Sequence, residues 1–509
     1  VTAIKFRNTV LKKSESINGA EAWVVVLPAP ATASDKSSKP KAFSAPEALP
    51  AAMRKFLDAF SARTDFKAKS GQIMSCDVSA ELRAVAGFLP AQIEESFRIL
   101  KFFRECIDAI KGVEPKNIVV DLRNVGDISS VLAKHFAAAI TASLHVDPKF
   151  VKEPDTKKKT APTVTFVTTT EDKSILKSAH HGLDTTISTN LVRTLAKLPP
   201  NELDCAKYVE RCRSTAKELG LKCTVFNVDQ LRKMKAGAFL AVARASADES
   251  AAIVKIEYSP KSAGKDTKHL AVVGKGIVFD TGGLNLKPAA YMIGMHGDMA
   301  GSAVALSLVS LAARAEWPVK VTTYMAIAQN DIGPNAFRQN EVVTAMNGKT
   351  IEIIHTDAEG RMILSDTLTL ASRDKPDLML DFATLTGACV GSLGEKYSGA
   401  FSNRPDWRET IIRSGVQSGE RIWPFPMDAD YGEVLKSDIA DTKQCRLKGG
   451  PDHIEAAMFL QMFIENDVPW IHIDLSACEN DGGLAHVPDK TTGFGARVGE
   501  QLARNLLNF

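Results

Sequence analysis

From Cys223 to Leu475, apolar runs of strand length (Cys223–Val228, Ile253–Tyr258, Leu270–Phe279, Val319–Ala328, Leu378–Ala383, Trp470–Leu475) alternate with helical patterns at Met299–Ala315 and Glu455–Ile464. Strands this apolar bury both faces, which requires helices on both sides of their sheet, so the alternation predicts an α/β architecture. Asp204 is placed to cap the helix that follows Pro199-Pro200-Asn201, and Gly220 to stop it. Asn347-Gly348, between Val342-Val343 and Ile351–Ile354, predicts a two-residue hairpin turn.

Upstream, a helical pattern at Glu94–Ile110, a strand at Ile118–Leu122, a helix at Ser130–Leu144 and a strand at Val164–Thr168 predict a smaller α/β domain. At about 150 residues per domain, a chain of 509 holds two or three. The expected division is an N-terminal domain over residues 1–168, a connecting helix within 169–198, and a larger domain over 199–509 with a central mixed sheet flanked by helices. Pro-, Ser- and Lys-rich stretches at 28–50 and 147–162 read as surface excursions.

Composition narrows the function classes. Lys and Arg number 63 against 60 Asp and Glu, and the resulting +3 is too small a charge for nucleic acid to be the expected partner. No run approaches the roughly 20 apolar residues of a membrane span, and Val1–Val10 lacks the apolar core of a secretory signal. Eight Cys without a C-x-x-C pair suit reduced thiols and a cytoplasmic location, and argue against zinc held by cysteine.

The densest polar cluster follows the strand Leu270–Phe279: Lys275, Asp280, Gly282, Gly283 and Lys287. In an open α/β sheet, ligands bind beyond the carboxyl ends of strands, which is where Asp280 falls. Lys275 and Asp280 are five apart, so a regular strand would turn them to opposite faces, and a bulge is expected between them. Taken singly, this segment reads as a turn, and Asp298 before the next helix reads as a charge favoured by the helix dipole. His355-Thr356-Asp357-Ala358-Glu359-Gly360-Arg361 changes the balance. Read as a strand end, it projects Asp357 and Glu359 to one buried face, and two buried carboxylates need cations.

The order G-K-G-I-V-F-D-T-G-G-L-N-L-K-P, then D-M-A-G, then T-D-A-E-G-R resembles the leucyl aminopeptidase (cytosol aminopeptidase) family, over about the last three fifths of the chain. The resemblance implies a two-metal exopeptidase in which Asp280 and Glu359 bridge both ions, Lys275 and Asp298 complete one shell, and Asp357 completes the other. It implies Lys287 and Arg361 as the catalytic cations, with bicarbonate on Arg361 as general base. Met295, Thr384, Leu385, Gly387 and Ser476 are implied as the pocket for an apolar first side chain, Leu or Met. Partners and assembly by the same resemblance are peptides with a free N-terminus and a homohexamer of two trimers. Four carboxylates balance two dications, and Lys275 can ligate only as the neutral amine. Oxygen ligands with one amine suit Zn, Mn, Co or Mg.

Some residues stand apart from the pattern. It uses no His, so His296 and His355 read as pocket wall or as neighbours of the metal ligands, and Cys389 and Cys478 as packing residues. Lys448–Glu455 departs from the family's usual Gly-Gly-Ala run, which leaves the channel shape open. Two-metal phosphoester hydrolysis is the second enzyme class, disfavoured by the lysine ligand and the lack of a phosphate-cradling loop. A non-catalytic DNA-associating scaffold is the third, disfavoured by the complete set of site residues.

Overall fold

The computed structural model describes residues 4–11, 17, 19–30, 51–61, 68–152, 161–246 and 249–509. Most of the excursions expected at 28–50 and 147–162 lies outside the described residues. The chain divides into two compact units: Val1–Ile187 with Leu484–Pro488, and Ser188–Gly483 with Asp489–Phe509.

The first unit holds six strands, β1 (Lys5–Val10), β2 (Ala22–Leu27), β3 (Ile73–Asp77), β4 (Arg83–Phe88), β5 (Asn117–Asp121) and β6 (Thr163–Thr168), in the order β1-β6-β5-β2-β4-β3. All neighbours are parallel except β3 and β4. Helices Ser96–Lys111 and Ser129–Ser143 bury Phe102, Phe103 and Phe136 against Val24, Val120 and Phe166 of this sheet. Helix Lys173–Ala196 follows where the long connector is expected.

The second unit is built on eight strands: β7 (Lys222–Asn227), β8 (Ala252–Tyr258), β9 (His269–Asp280), β10 (Lys320–Asn330) and, beyond the short pair β11 (Val342–Thr344) and β12 (Thr350–Glu352), β13 (Leu378–Ala383), β14 (Ser398–Ser402), β15 (Ile422–Pro424) and, after β16 (Thr442–Lys443), β17 (Trp470–Asp474). The order is β15-β14-β17-β13-β9-β10-β8-β7. The inner strands β17, β13, β9 and β10 run parallel, so their carboxyl ends, carrying Asp474, Ala383, Asp280 and Asn330, share one edge of the sheet. The outer strands β14, β8 and β7 pair antiparallel, which makes the sheet mixed.

β9 is the pivot. Ile277 pairs with Ala328 but Asp280 with Asn330, so β9 spends three steps where β10 spends two. That extra residue is the bulge expected from the odd spacing, and it brings Lys275 and Asp280 to the same side. Helix Ala300–Arg314 lies directly on β9 and β13: a methyl group on Gly274 would overlap the Gly301 carbonyl, and one on Gly301 the Phe382 carbonyl. The stretch Ala289–Arg314 has the length and apolarity of a membrane span, yet Gly294 at φ +92° breaks it and Ala300–Ala312 are buried throughout.

Local signals behave as their chemistry dictates. Asp204 accepts the Lys207 amide at 2.8 Å and caps helix Cys205–Glu218, and Gly220 past its end has φ +66°. The Asn347-Gly348 hairpin forms between β11 and β12, but only Gly348 has positive φ, and Ala345 N bonds Lys349 O at 2.8 Å. A two-residue type I′ turn needs positive φ at both central positions, so the connection is longer than the dipeptide suggests.

Candidate metal centre

Three carboxylates come together at the end of β9, in a turn and at the start of a helix: Asp280, Asp357 and Glu359 each offer an oxygen within 4.8 Å of the others. Asp280 ends β9 with 3% of its surface exposed. Its Oδ1 accepts Gly282 N at 2.9 Å and Asn330 Nδ2 at 2.8 Å, while Gly282 and Gly283, at φ +85° and +64°, turn the chain away. Asp357 and Glu359 do not lie on a strand. β12 stops at Glu352, residues 355–358 form a turn closed by Ala358 N to His355 O at 3.2 Å, and Glu359 opens helix Glu359–Ser372. The apolar Ile351 to Ile354 suggests a longer strand, but an acid in the first turn is favoured by the helix dipole, and the helix wins at Glu359.

Lys275 and Lys287 interleave with the acids. The Lys275 ammonium, 3% exposed, lies 2.8 Å from Asp298 and 2.8 Å from Glu359, and donates to the Thr384 carbonyl at 3.0 Å. Lys287 lies 2.9 Å from Asp280 and also pairs with Asp357. Burial works to lower Lys275, but the carboxylates of Asp298, Glu359 and Asp280 outweigh it and hold the ammonium above its ordinary range. Burial, with Glu359 and Asp280 beside it, pushes Asp298 up, while Lys275 pulls it back towards the charged form. Asp298 also accepts the Thr384 hydroxyl at 2.7 Å. It stands two residues before the helix Ala300–Arg314 rather than at its first position.

Four buried or half-buried carboxylates facing two ammonium groups leave an acidic excess. The set is oxygen-rich, with one amine able to ligate once a cation displaces its proton, so it fits hard or borderline divalent metals.

Asn330 and Gln444 are the residues that sequence reasoning missed. Asn330, fully buried at the end of β10, donates to Asp280, to the Thr356 carbonyl at 3.1 Å and to Glu359 at 3.4 Å, so one amide ties together three of the segments. Its pairing with Asp280 across the sheet is the signal, visible only once the register is known. Gln444 accepts from the Ile354 and His355 amides and donates to the Ala358 carbonyl at 2.8 Å, holding the turn that carries Asp357. Asn330→Ala is expected to weaken divalent-ion binding about 10- to 100-fold, as losing a side chain that orients ligands does. Calorimetric titration of the metal-free protein with Mn checks this.

Arg361, in the first turn of helix Glu359–Ser372, is 2% exposed. Its Nη1 donates to the Gln444 carbonyl at 3.2 Å and its Nη2 to Asp452 Oδ1 at 2.8 Å, while the buried Nε has no hydrogen-bond partner. The guanidinium to which the resemblance gives bicarbonate therefore meets a side-chain carboxylate at one of its N–H groups.

All seven of these acids and cations line one cavity of about 850 Å³. Met295, Thr384, Leu385, Gly387 and Ser476 line it too, as do His355 and Cys478, whereas His296 and Cys389 do not. Burial pushes the thiols of Cys389 and Cys478 up to about 12, which suits packing rather than nucleophilic roles. Exposed apolar side chains, Leu286, Tyr291, Ile293 and Leu447, surround the mouth.

Residues 190–498 match the model of the cytosol aminopeptidase family, catalytic domain. A probable cytosol aminopeptidase of Syntrophotalea carbinolica is 42% identical over 310 residues, 60% of this chain and 61% of that protein. One from Chlorobaculum parvum is 33% identical over 455 residues, 85% of this chain and 89% of that protein. Among solved structures, the bottromycin maturation enzyme BotP in complex with Mn is similar at a TM-score of 0.78 and 28% identity, covering 96% of this chain and 99% of its own. A mutant of tomato leucine aminopeptidase shares the fold at a TM-score of 0.82 and 24% identity, covering 100% and 97%.

Proposed function

The chain belongs to the cytosol aminopeptidase family, and from that premise we propose that it hydrolyses the first peptide bond of substrates with a free N-terminus, at a centre of two divalent ions. The observation that carries this reading is the convergence of Asp280, Asp357 and Glu359 within 4.8 Å of one another, with Lys275 and Asp298 beside them. Asp280, Asp357 and Glu359, with Lys275 and Asp298, would hold the ions. When bound, such ions polarise the scissile carbonyl and lower the pKa of a water towards neutrality. Mn, Zn, Co and Mg are all compatible with the donor set.

The chain's own groups supply the rest. Lys287 presents its ammonium to the cavity from between Asp280 and Asp357, where it can stabilise the oxyanion that forms as the carbonyl carbon becomes tetrahedral. Asp298, held by the Thr384 hydroxyl, offers negative charge to the substrate's α-ammonium and so confines cleavage to the first residue. Met295 and Leu385, beside the small Gly387 and Ser476, form an adaptable apolar wall for Leu or Met. Asp452 already supplies an anion to the guanidinium to which the resemblance gives bicarbonate, and no proton step is routed through bicarbonate. A cytoplasmic location and a homohexamer of two trimers complete the proposal.

Leucine p-nitroanilide and a phosphate ester, each assayed with added Mn or Zn, test the reaction class. Release of p-nitroaniline alone is expected, and N-acetyl-leucine p-nitroanilide should be cleaved at least about 100-fold more slowly, because its amide offers Asp298 no positive charge. Equal rates on the free and acetylated substrates would overturn the exopeptidase assignment.

A further inference from the structure

A buried guanidinium needs an anion, because an isolated charge at 2% exposure is far costlier than a paired one. For Arg361 that anion is Asp452, at 2.8 Å. Asp452 is the first residue of helix Asp452–Gln461, next to Pro451 and after Gly450 at φ +79°, in the stretch that departs from the family's Gly-Gly-Ala run. An acid at this position is favoured by the helix dipole, and the arginine fixes one of its oxygens.

Of the other carboxylates that line the cavity, Glu395 is exposed and, among the described residues, pairs with no cation of the site, and the rest are committed elsewhere. Asp280, Asp298, Asp357 and Glu359 face the two lysines. Asp474 accepts from the Leu385 amide and the Thr386 hydroxyl, and Glu479 pairs with Lys490. Asp452 differs: its side chain is 34% exposed, it lines the cavity, and among the described residues no donor reaches its Oδ2.

We propose that Asp452 is the built-in anion of Arg361 and the proton acceptor of the reaction, a covalently tethered carboxylate standing where the resemblance places a free bicarbonate. As the water oxygen bonds to the carbonyl carbon, one of its protons passes to Oδ2 of Asp452. As the C–N bond breaks, that proton passes to the leaving nitrogen, and the carboxylate is regenerated. Arg361 keeps the carboxylate anionic and oriented throughout. The inference rests on the aminopeptidase reading for its reaction, but not for the occupancy of Arg361.

The test uses the full chain loaded with Mn, in buffers freed of carbon dioxide and then supplied with bicarbonate. The wild type is expected to change in rate on leucine p-nitroanilide by less than about twofold, and Asp452→Asn to lose about 100-fold or more in kcat with KM nearly unchanged. Asp452→Gly, which uncovers the guanidinium, is expected to be slow without bicarbonate and to regain at least about tenfold with it. Independently of turnover, Mn-induced broadening of the ¹³C-bicarbonate resonance should be saturable with Asp452→Gly and absent with the wild type. Acceleration of the wild type by bicarbonate, saturable broadening with the wild type, or full activity of Asp452→Asn in bicarbonate-free buffer would each overturn the proposal. A wild type inert on every N-terminal substrate would overturn the aminopeptidase reading instead, and the labelled titration would still decide which anion Arg361 holds.

Discussion

Glu359→Gln is expected to abolish turnover, with kcat/KM on leucine p-nitroanilide falling by roughly 10³-fold or more. Glu359 is 2% exposed, opens its helix beside the cavity, and joins Asp280 and Asp357 as a common oxygen donor. The amide keeps the volume and the contact with Lys275, so the fold should survive while the central anionic donor is lost. Metal catalysis of this kind contributes several kcal/mol, and each 1.36 kcal/mol is tenfold in rate, which sets the scale. Elemental analysis of the purified variant should find fewer ions per chain than in the wild type. Chelating the wild type should reproduce the loss and re-adding Mn or Zn should reverse it. A chelated protein with full activity would leave the two-ion proposal without support.

Lys287→Met should behave differently, and the contrast is informative. Lys287 touches two of the carboxylates proposed to hold metal, Asp280 and Asp357, but the proposal gives it no place in the metal shell. Removing its charge is therefore expected to lower kcat about 10²- to 10³-fold, the cost of losing one donor to an oxyanion, with metal content unchanged. KM should move little, because the interaction strengthens only as the tetrahedral species forms. Loss of metal in step with loss of rate would mean that Lys287 organises the acids rather than serving the oxyanion.

How much of this was legible beforehand depends on how local each signal is. The alternation of apolar strands and helices locates β7, β8, β9, β10, β13 and β17 of the central sheet, because burial on both faces writes itself into a continuous run, but not the short outer strands β14 and β15. The odd spacing of Lys275 and Asp280 reveals the bulge, since strand parity is a one-dimensional property. The start of the helix at Glu359 was hidden, because the isoleucines before it read as a longer strand while the competing capping preference is weaker in pattern. Asn330 and Gln444 were invisible for another reason. Each acts on residues tens of positions away, and nothing in an Asn at a strand end marks it until the neighbouring strand is in register. The Arg361–Asp452 pair, 91 residues apart, is of the same kind. The sequence marked its segment as a departure, but only the fold brings the acid to the arginine.

The irregular step in β9 has a further consequence for how this chain can vary. Side-chain direction along a strand is a parity, and the inserted residue acts as a phase shifter between two halves of one strand. Losing one residue from 277–279 would restore regular pairing and leave Lys275 and Asp280 four apart, an even spacing that keeps both on one face. Trimming the strand by a single residue would thus neaten the sheet and spare its centre, whereas a loss of two would leave the pair three apart and turn the two side chains to opposite faces.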